Sequence, residues 1–272
     1  MDHLLISTEE LSTLLNKPDV LILDARSGMD HFMGHLPGAV NTSWKNFSHP
    51  NPQSRGLLDP DPKMLEQKLG SLGVGNNKEI IVYADPFKCY GDDARILWTL
   101  LSAGHEKARV LDGGWPKWRA EKRPIERGSV SPKPGGFHIK PNPSVSITKE
   151  EVLEKVRDKN AITVIIDSRT PEEYQGETGP GIPRGGHIPG SVNIPWNSFF
   201  KDDGSLKSRE EIKKAFEVQG VTPEKEVITY CTAGVRAAHL FFTLKVAGYP
   251  NVKNYPGSWL EWSNDSSLPI ER

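Results

Sequence analysis

One short segment of the chain has the residue types and spacing for nucleophilic chemistry: Tyr230-Cys231-Thr232-Ala233-Gly234-Val235-Arg236. It follows an apolar run, Val227-Ile228-Thr229-Tyr230, that reads as a buried strand, and it precedes Ala237 to Ala247, which reads as a helix. A cysteine between a strand end and a helix start lies where backbone N–H groups converge and the helix dipole is positive. That setting favours the thiolate, the nucleophilic form of the sulfur. Arg236 adds a permanent cation. The segment reads as a cradle for an anionic sulfur, with Cys231 as nucleophile. The N–H groups of Thr232, Ala233, Gly234, Val235 and Arg236, and the Arg236 side chain, are its anion binders.

The elements that must position this loop occur twice. Ile22-Leu23-Asp24-Ala25-Arg26 returns as Ile165-Ile166-Asp167-Ser168-Arg169. Gly34-His35-Leu36-Pro37-Gly38-Ala39-Val40-Asn41 returns as Gly186-His187-Ile188-Pro189-Gly190-Ser191-Val192-Asn193, and Gly113-Gly114-Trp115-Pro116-Lys117-Trp118 as Gly257-Ser258-Trp259-Leu260-Glu261-Trp262. Aligning Glu79–Tyr83 with Glu226–Tyr230 places Ala84 opposite Cys231, so one copy carries the nucleophile and the other lacks it. Each copy opens with a capping-box pattern, Ser7 with Glu10 and Thr148 with Glu151. A strand ending in Asp-x-Arg follows, then a loop, the His-x-Pro-Gly turn and a short strand. A second helix begins at Asp61-Pro62 or at Ser208. Then come the central strand, a helix ended by Gly104 or Gly248, and the Gly-Trp segment. Strands alternating with helices predict α/β domains, each a mainly parallel sheet flanked by helices. The expected domains are 1–126, lacking the nucleophile, and 146–272, carrying it. Residues 127–145 hold Pro132, Pro134, Gly135-Gly136, Pro141 and Pro143 and read as a semi-rigid linker.

Bulk properties exclude several classes. The 272 residues suit two domains. A net charge of -1 leaves no basic footprint for nucleic acid or membrane. No apolar run approaches the roughly 20 residues of a spanning helix. The start, Met1-Asp2-His3-Leu4-Leu5-Ile6-Ser7, lacks a leader pattern. With only Cys89 and Cys231 there is no disulfide framework and no cysteine metal cluster, so a cytoplasmic protein without a metal is expected.

Taken together, Asp-x-Arg, Gly-His-x-Pro-Gly-x-x-Asn, the Cys-x-x-Gly-Val loop and Gly-Ser-Trp-x-Glu-Trp resemble the two-domain rhodanese family of sulfurtransferases. The resemblance covers nearly the whole chain, in order and in both copies. It implies two similar α/β domains, a persulfide-forming cysteine in the second at Cys231, and an active site in the cleft between them. It implies a small-molecule sulfur donor such as thiosulfate, a thiophilic acceptor such as cyanide or a thiol, and no cofactor beyond the persulfide itself. A persulfide carrier to a protein partner is the second reading, and a non-catalytic binding module the third. Protein tyrosine phosphatases space the pair Cys-x5-Arg, whereas Cys231 and Arg236 are one residue closer. The tighter ring of N–H groups suits a terminal sulfur better than a phosphoryl group.

The donor is less sharply indicated. Thr232-Ala233-Gly234-Val235 partly matches the mercaptopyruvate branch, but Arg236 stands where that branch has threonine. Animal members of both branches carry an arginine four residues beyond the Asp-x-Arg arginine to hold the donor's anionic group; here that position is Glu173. Arg184 or Arg236 is then the candidate substitute clamp, and thiosulfate is favoured over 3-mercaptopyruvate. Asp167, Arg169 and His187 recur in the copy without a nucleophile, as Asp24, Arg26 and His35, and are read as structural groups near the site. Phe87 and Tyr90 are candidate cleft walls, Trp196 and Phe199 weaker pocket candidates, Cys89 an incidental thiol, and Asp92-Asp93 a helix cap.

Overall fold

A computed structural model describes residues 4–158 and 162–272. Residues 1–3, on which part of the leader reading rests, and 159–161 lie outside the described residues. Contacts divide the chain into two compact units: Met1–Phe47, Asp59–Asn142 and Phe200–Leu206 form one, and Ser48–Leu58, Pro143–Phe199 and Lys207–Arg272 the other.

The first unit runs β1 (Leu5–Ile6), α1 (Thr8–Leu14), β2 (Val20–Asp24), α2 (Gly28–Met33), β3 (Val40–Asn41), α3 (Pro62–Ser71), β4 (Glu79–Tyr83), α4 (Asp92–Ser102), β5 (Ala108–Leu111) and α5 (Gly114–Ala120). Its sheet has the order β1-β5-β4-β2-β3, with every pair parallel. The second unit runs α6 (Lys149–Arg157), β6 (Thr163–Asp167), α7 (Pro171–Gln175), β7 (Val192–Asn193), α8 (Arg209–Val218), β8 (Glu226–Tyr230), α9 (Val235–Val246), β9 (Val252–Asn254) and α10 (Ser258–Asn264). Its order is β7-β6-β8-β9, again parallel. The predicted α/β class with parallel sheets is therefore the observed one. The central strands are continuous Ile/Val/Leu/Tyr runs because helices cover both faces of a parallel sheet. In the second unit the counterpart of β1 shrinks to one parallel bridge, Ser146 to Asn254.

Local chemistry explains most boundaries. Thr148 with Glu151 and Ser208 with Glu211 form complete capping boxes. Ser7 accepts from the Glu10 N–H without the reciprocal bond. Asp61 caps α3 with Pro62 in its first turn. The Asp92-Asp93 pair fills the first turn of α4, as an acidic pair at a helix start should, but the N-cap itself is Gly91, at φ 86°. Asp93 is buried and accepts from the adjacent Ala94 N–H at 2.8 Å. Burial raises both carboxyls to about 6.

Two further expectations need correction. The stretch after each Asp-x-Arg is a short helix, α2 or α7, where the sequence reading places a loop. In the second copy the missed signal is Thr170-Pro171-Glu172-Glu173, a complete capping box with proline in the first turn. Residues 127–142 are also no free linker, because they strap the first unit. Gly135 donates to the Gly70 carbonyl at 2.8 Å, Lys140 to Ala103 at 3.0 Å and Asn142 to Ser102 at 2.9 Å. These carbonyls lie in or beside the last turns of α3 and α4, where no intrahelical donor remains. Phe137 adds a buried ring beside His105.

Each Asp-x-Arg closes a buried knot. In the first unit Arg26 gives Nε and Nη2 to Asp24, at 2.9 and 2.6 Å, and Nη2 also to the Gly34 carbonyl at 2.7 Å. Its guanidinium lies 4.0 Å from the Trp115 ring centroid. The pair ties the end of β2 to the His-x-Pro-Gly turn and to α5. Asp24→Ala leaves a buried guanidinium uncompensated, so urea unfolding should show a loss of about 3–5 kcal/mol. A loss below about 1 kcal/mol would contradict this structural role.

Candidate active site

The register of β6 against β8 sets Asp167 beside Tyr230, the last residue before the loop. Asp167 accepts the Arg169 Nε at 3.0 Å and Nη2 at 2.6 Å, and Arg169 Nη2 also reaches the Gly186 carbonyl at 2.7 Å. The Arg169 guanidinium lies 4.8 Å from the Trp259 ring centroid. The Tyr230 carbonyl takes both the Ser168 N–H, at 2.9 Å, and its hydroxyl, at 2.8 Å. His187 donates from Nδ1 to the Tyr174 carbonyl at 2.9 Å and stacks on that ring at 3.7 Å. These groups brace the strand end and the turn beside the loop.

The loop itself is held by its carbonyls. Trp259 N–H donates to the Cys231 carbonyl and Leu260 N–H to that of Thr232, each at 2.9 Å. Both donors belong to the first turn of α10, where helical N–H groups have no partner of their own. Asn254 donates to the Gly234 carbonyl at 3.4 Å. With these carbonyls turned outward, the N–H groups turn to the loop's concave side. Among the described residues, those of Thr232, Ala233, Val235 and Arg236 have no protein acceptor. Gly234, at φ 73°, makes the left-handed turn into the twelve-residue α9, and a glycine suits that conformation. Cys231 is 1% exposed.

Ser258 is a residue that the sequence reading missed. Its Oγ accepts the Cys231 N–H at 3.1 Å and donates to the Tyr255 carbonyl at 2.8 Å. It holds φ 55°, a costly conformation for a residue with a Cβ. Its counterpart Gly114 has φ 52°. The available signal was therefore a serine in the copy that carries Cys231, where the other copy has a left-handed glycine. Gly56 was also missed. A Cβ there would overlap the Pro256 carbonyl and lie 3.1 Å from that of Ala233, so residues 48–58 pack backbone to backbone on the loop. A contact so distant in sequence leaves no local pattern.

The two candidate clamps have other work. Arg184 gives Nε to the Ser263 carbonyl at 2.9 Å, Nη1 to Leu268 at 3.0 Å, and Nη2 to Trp262 at 3.0 Å and to Asp265. It satisfies the carbonyl end of α10, and its assignment as an anion binder is corrected. Arg236 forms a bidentate pair with Glu173, Nη1 to Oε2 at 2.6 Å and Nη2 to Oε1 at 2.8 Å. Nη2 also donates to Thr232 Oγ1 at 2.6 Å, and that hydroxyl donates to Glu173 Oε1 at 3.1 Å. Burial opposes both charges. The Arg236 bonds and charge, with the Thr170 N–H, outweigh it and bring the Glu173 carboxyl down to about 2. The same bonds, with Cys231 and Glu173 charge, hold the Arg236 pKa above its usual value. Trp196 and Phe199 belong to the core, one edge-on to His239 at 5.3 Å, the other stacked on Phe216 at 4.6 Å.

The corresponding loop of the first unit cannot form a cradle. Trp115 N–H still anchors the Ala84 carbonyl at 2.9 Å, but the loop folds on itself. Phe87 N–H goes to the Asp85 carboxylate at 3.0 Å, and the N–H groups of Lys88 and Cys89 to the Asp85 carbonyl at 3.1 and 2.8 Å. Burial and the charges of Asp92, Asp93 and Asp85 push the Cys89 thiol up to about 12, so it stays protonated at neutral pH. Phe87 and Tyr90 are exposed on this loop. Among the described residues no cluster of ligands suits a metal ion, and no helix is long and apolar enough to cross a membrane.

Comparison with known proteins agrees in extent with this repeated architecture. Residues 7–121 and 148–265 each match the rhodanese-like domain. The chain is 33% identical to the sulfur carrier protein TtuD of Thermus thermophilus, over 99% of this chain and 97% of that protein. It is 32% identical to a thiosulfate sulfurtransferase of Azotobacter vinelandii, over 98% and 97%. Among solved structures, YnjE superposes with a TM-score of 0.85 at 25% identity, covering 99% of this chain and 69% of that one. Wild-type EanB superposes at 0.83 and 23%, over 99% and 69%, a likeness of fold.

Two outcomes follow from the loop geometry. Ser258→Ala should cost about 1–3 kcal/mol in stability, by stranding the Cys231 N–H. Ser258→Gly should cost about 1 kcal/mol less, because it relaxes the left-handed backbone. Equal stability of the two variants in urea unfolding would contradict the strain argument. The Glu173–Arg236 pair should show in the pH dependence. Glu173 titrates lower folded than unfolded, so its stabilisation is complete above the unfolded value near 4.5 and is lost as pH falls towards about 2. Glu173→Gln should flatten stability over that window.

Proposed function

Because the chain belongs to the rhodanese-like domain family, we propose that it is a sulfurtransferase carrying sulfane sulfur on Cys231, with thiosulfate as donor. The observation that carries this reading is the ring of N–H groups around a buried cysteine at the start of α9. Full-length similarity to proteins named thiosulfate sulfurtransferase supports it.

The Cys231 thiolate attacks the outer sulfur of thiosulfate. A sulfur–sulfur bond forms to Cys231, the donor's sulfur–sulfur bond breaks, and sulfite leaves with the electron pair. The product, Cys231–S–S⁻, places its negative sulfur among the N–H groups of Thr232 to Arg236, at the positive end of α9. Cyanide or a thiol then takes the outer sulfur and restores the thiolate. This is covalent, ping-pong catalysis. The sequence of steps needs no cofactor and no histidine base. Arg184 is spent on backbone carbonyls and Arg236 on Glu173, so a donor needing a carboxylate clamp, such as 3-mercaptopyruvate, fits less well. Delivery to a protein acceptor is the second reading, favoured by the similarity to a protein named as a sulfur carrier.

Intact mass after incubation with thiosulfate, in parallel with 3-mercaptopyruvate, tests the proposal. The wild type should gain one sulfur, load at lower thiosulfate concentration, and lose the sulfur to cyanide. Cys231→Ser should gain none. No gain with either donor, or an equal gain in Cys231→Ser, would overturn it. Sulfur that leaves for an added protein acceptor but not for small thiophiles would establish the carrier reading.

A further inference from the structure

Two ion pairs flank the Cys231 loop. Asp167 faces Arg169, and Glu173 faces Arg236. In the second pair the guanidinium gives both its Nη groups to one carboxylate, which compensates its charge. The Thr232 hydroxyl is committed too: its proton goes to Glu173 Oε1, and it receives Arg236 Nη2. The carboxylate is itself fixed, because Glu173 Oε2 accepts the Thr170 N–H at 3.0 Å in the capping box of α7. No rotation of Glu173 releases Arg236 without also breaking that box.

We propose that Glu173 determines the charge class of the sulfur donor. It turns the loop's arginine and hydroxyl into internal struts and leaves backbone N–H groups as the anion binders. Such a ring stabilises one negative sulfur. A dianion approaching the Cys231 thiolate finds neither Arg169 nor Arg236 with its charge uncompensated. The better-matched donor carries a single negative charge, as an alkyl persulfide or a thiosulfonate anion does, and thiosulfate loads the cysteine with weaker binding. This inference rests on the persulfide chemistry proposed above and concerns which donors reach it.

Thiosulfate and methanethiosulfonate form a suitable probe pair. Both pass an outer sulfur to a thiolate, one releasing sulfite and the other methanesulfinate, and they differ by one charge. Steady-state KM and kcat would be measured for each, with cyanide as acceptor, in the wild type, Glu173→Gln and Glu173→Asp, at low and high ionic strength. In the wild type the thiosulfonate should have the lower KM, and inert salt should lower the thiosulfate KM by screening its repulsion from the thiolate. Glu173→Gln frees one positive charge. It should lower the thiosulfate KM by roughly threefold to tenfold at low salt, lower the thiosulfonate KM by less, and change kcat alike for both. Glu173→Asp, which keeps the charge, should retain the wild-type preference.

A Glu173→Gln variant in which both donors lose equally would reduce Glu173 to a brace and overturn the proposal. Should that variant not fold, the wild type still decides: a thiosulfate KM that rises with salt would reveal a free cation at the site and overturn it. Persulfide loading by mass separates the two levels. If neither donor loads Cys231, the underlying chemistry fails and this inference falls with it. If both load but with unchanged donor preference, only this inference falls.

Discussion

The carbonyls of Cys231 and Thr232 are held by the first N–H groups of α10, and the geometry of the site follows from that anchoring. A loop between a parallel strand and a helix has as many acceptors as donors. It binds an anion only if its acceptors are engaged elsewhere. Here α10 supplies donors that every helix start leaves unpaired, and Asn254 takes the Gly234 carbonyl. Ser258 takes up the N–H of Cys231 itself. What remains is the set of N–H groups of Thr232, Ala233, Val235 and Arg236, at the positive end of α9.

The two halves show how little separates a loop with free N–H groups from one whose N–H groups are taken up. The anchor to the strand end is repeated, from Trp115 to Ala84 and from Trp259 to Cys231. So is the buried Asp-Arg knot with its tryptophan face. The difference lies in where the loop donors go. In the first unit Asp85 gathers them onto its own carbonyl and carboxylate, and Asp92 and Asp93 add negative charge. No cysteine stands at Ala84, and the loop N–H groups there are taken up.

The sequence exposed what is local or repeated. Most strand and helix positions, the caps at Ser7, Asp61, Thr148 and Ser208, and the strand–loop–helix passage through Cys231 could be read because apolar periodicity, caps and turn residues act over a few positions; the short helices α2 and α7 could not. Duplication separated scaffold from chemistry: Asp167, Arg169 and His187 recur where no nucleophile exists. What escaped depends on long-range partners. Arg184 has the charge of a clamp, and only the fold shows it facing the carbonyl end of α10. Glu173 could be seen as a missing arginine but not as the partner of Arg236. The proline-rich stretch 127–142 reads as a spacer until its N–H groups are seen to end helices α3 and α4. The Ser258–Gly114 contrast was visible and unread, because a polar side chain at a left-handed position is informative only once its hydrogen-bond partner is known.

The most direct test of the account is a crystal structure of the protein loaded with sulfur from thiosulfate. The account predicts one extra sulfur on Cys231, within hydrogen-bond distance of the N–H groups between Thr232 and Arg236, with Arg236 still paired to Glu173. Sulfur density on Cys89, or an Arg236 side chain swung off Glu173 onto the persulfide, would contradict it.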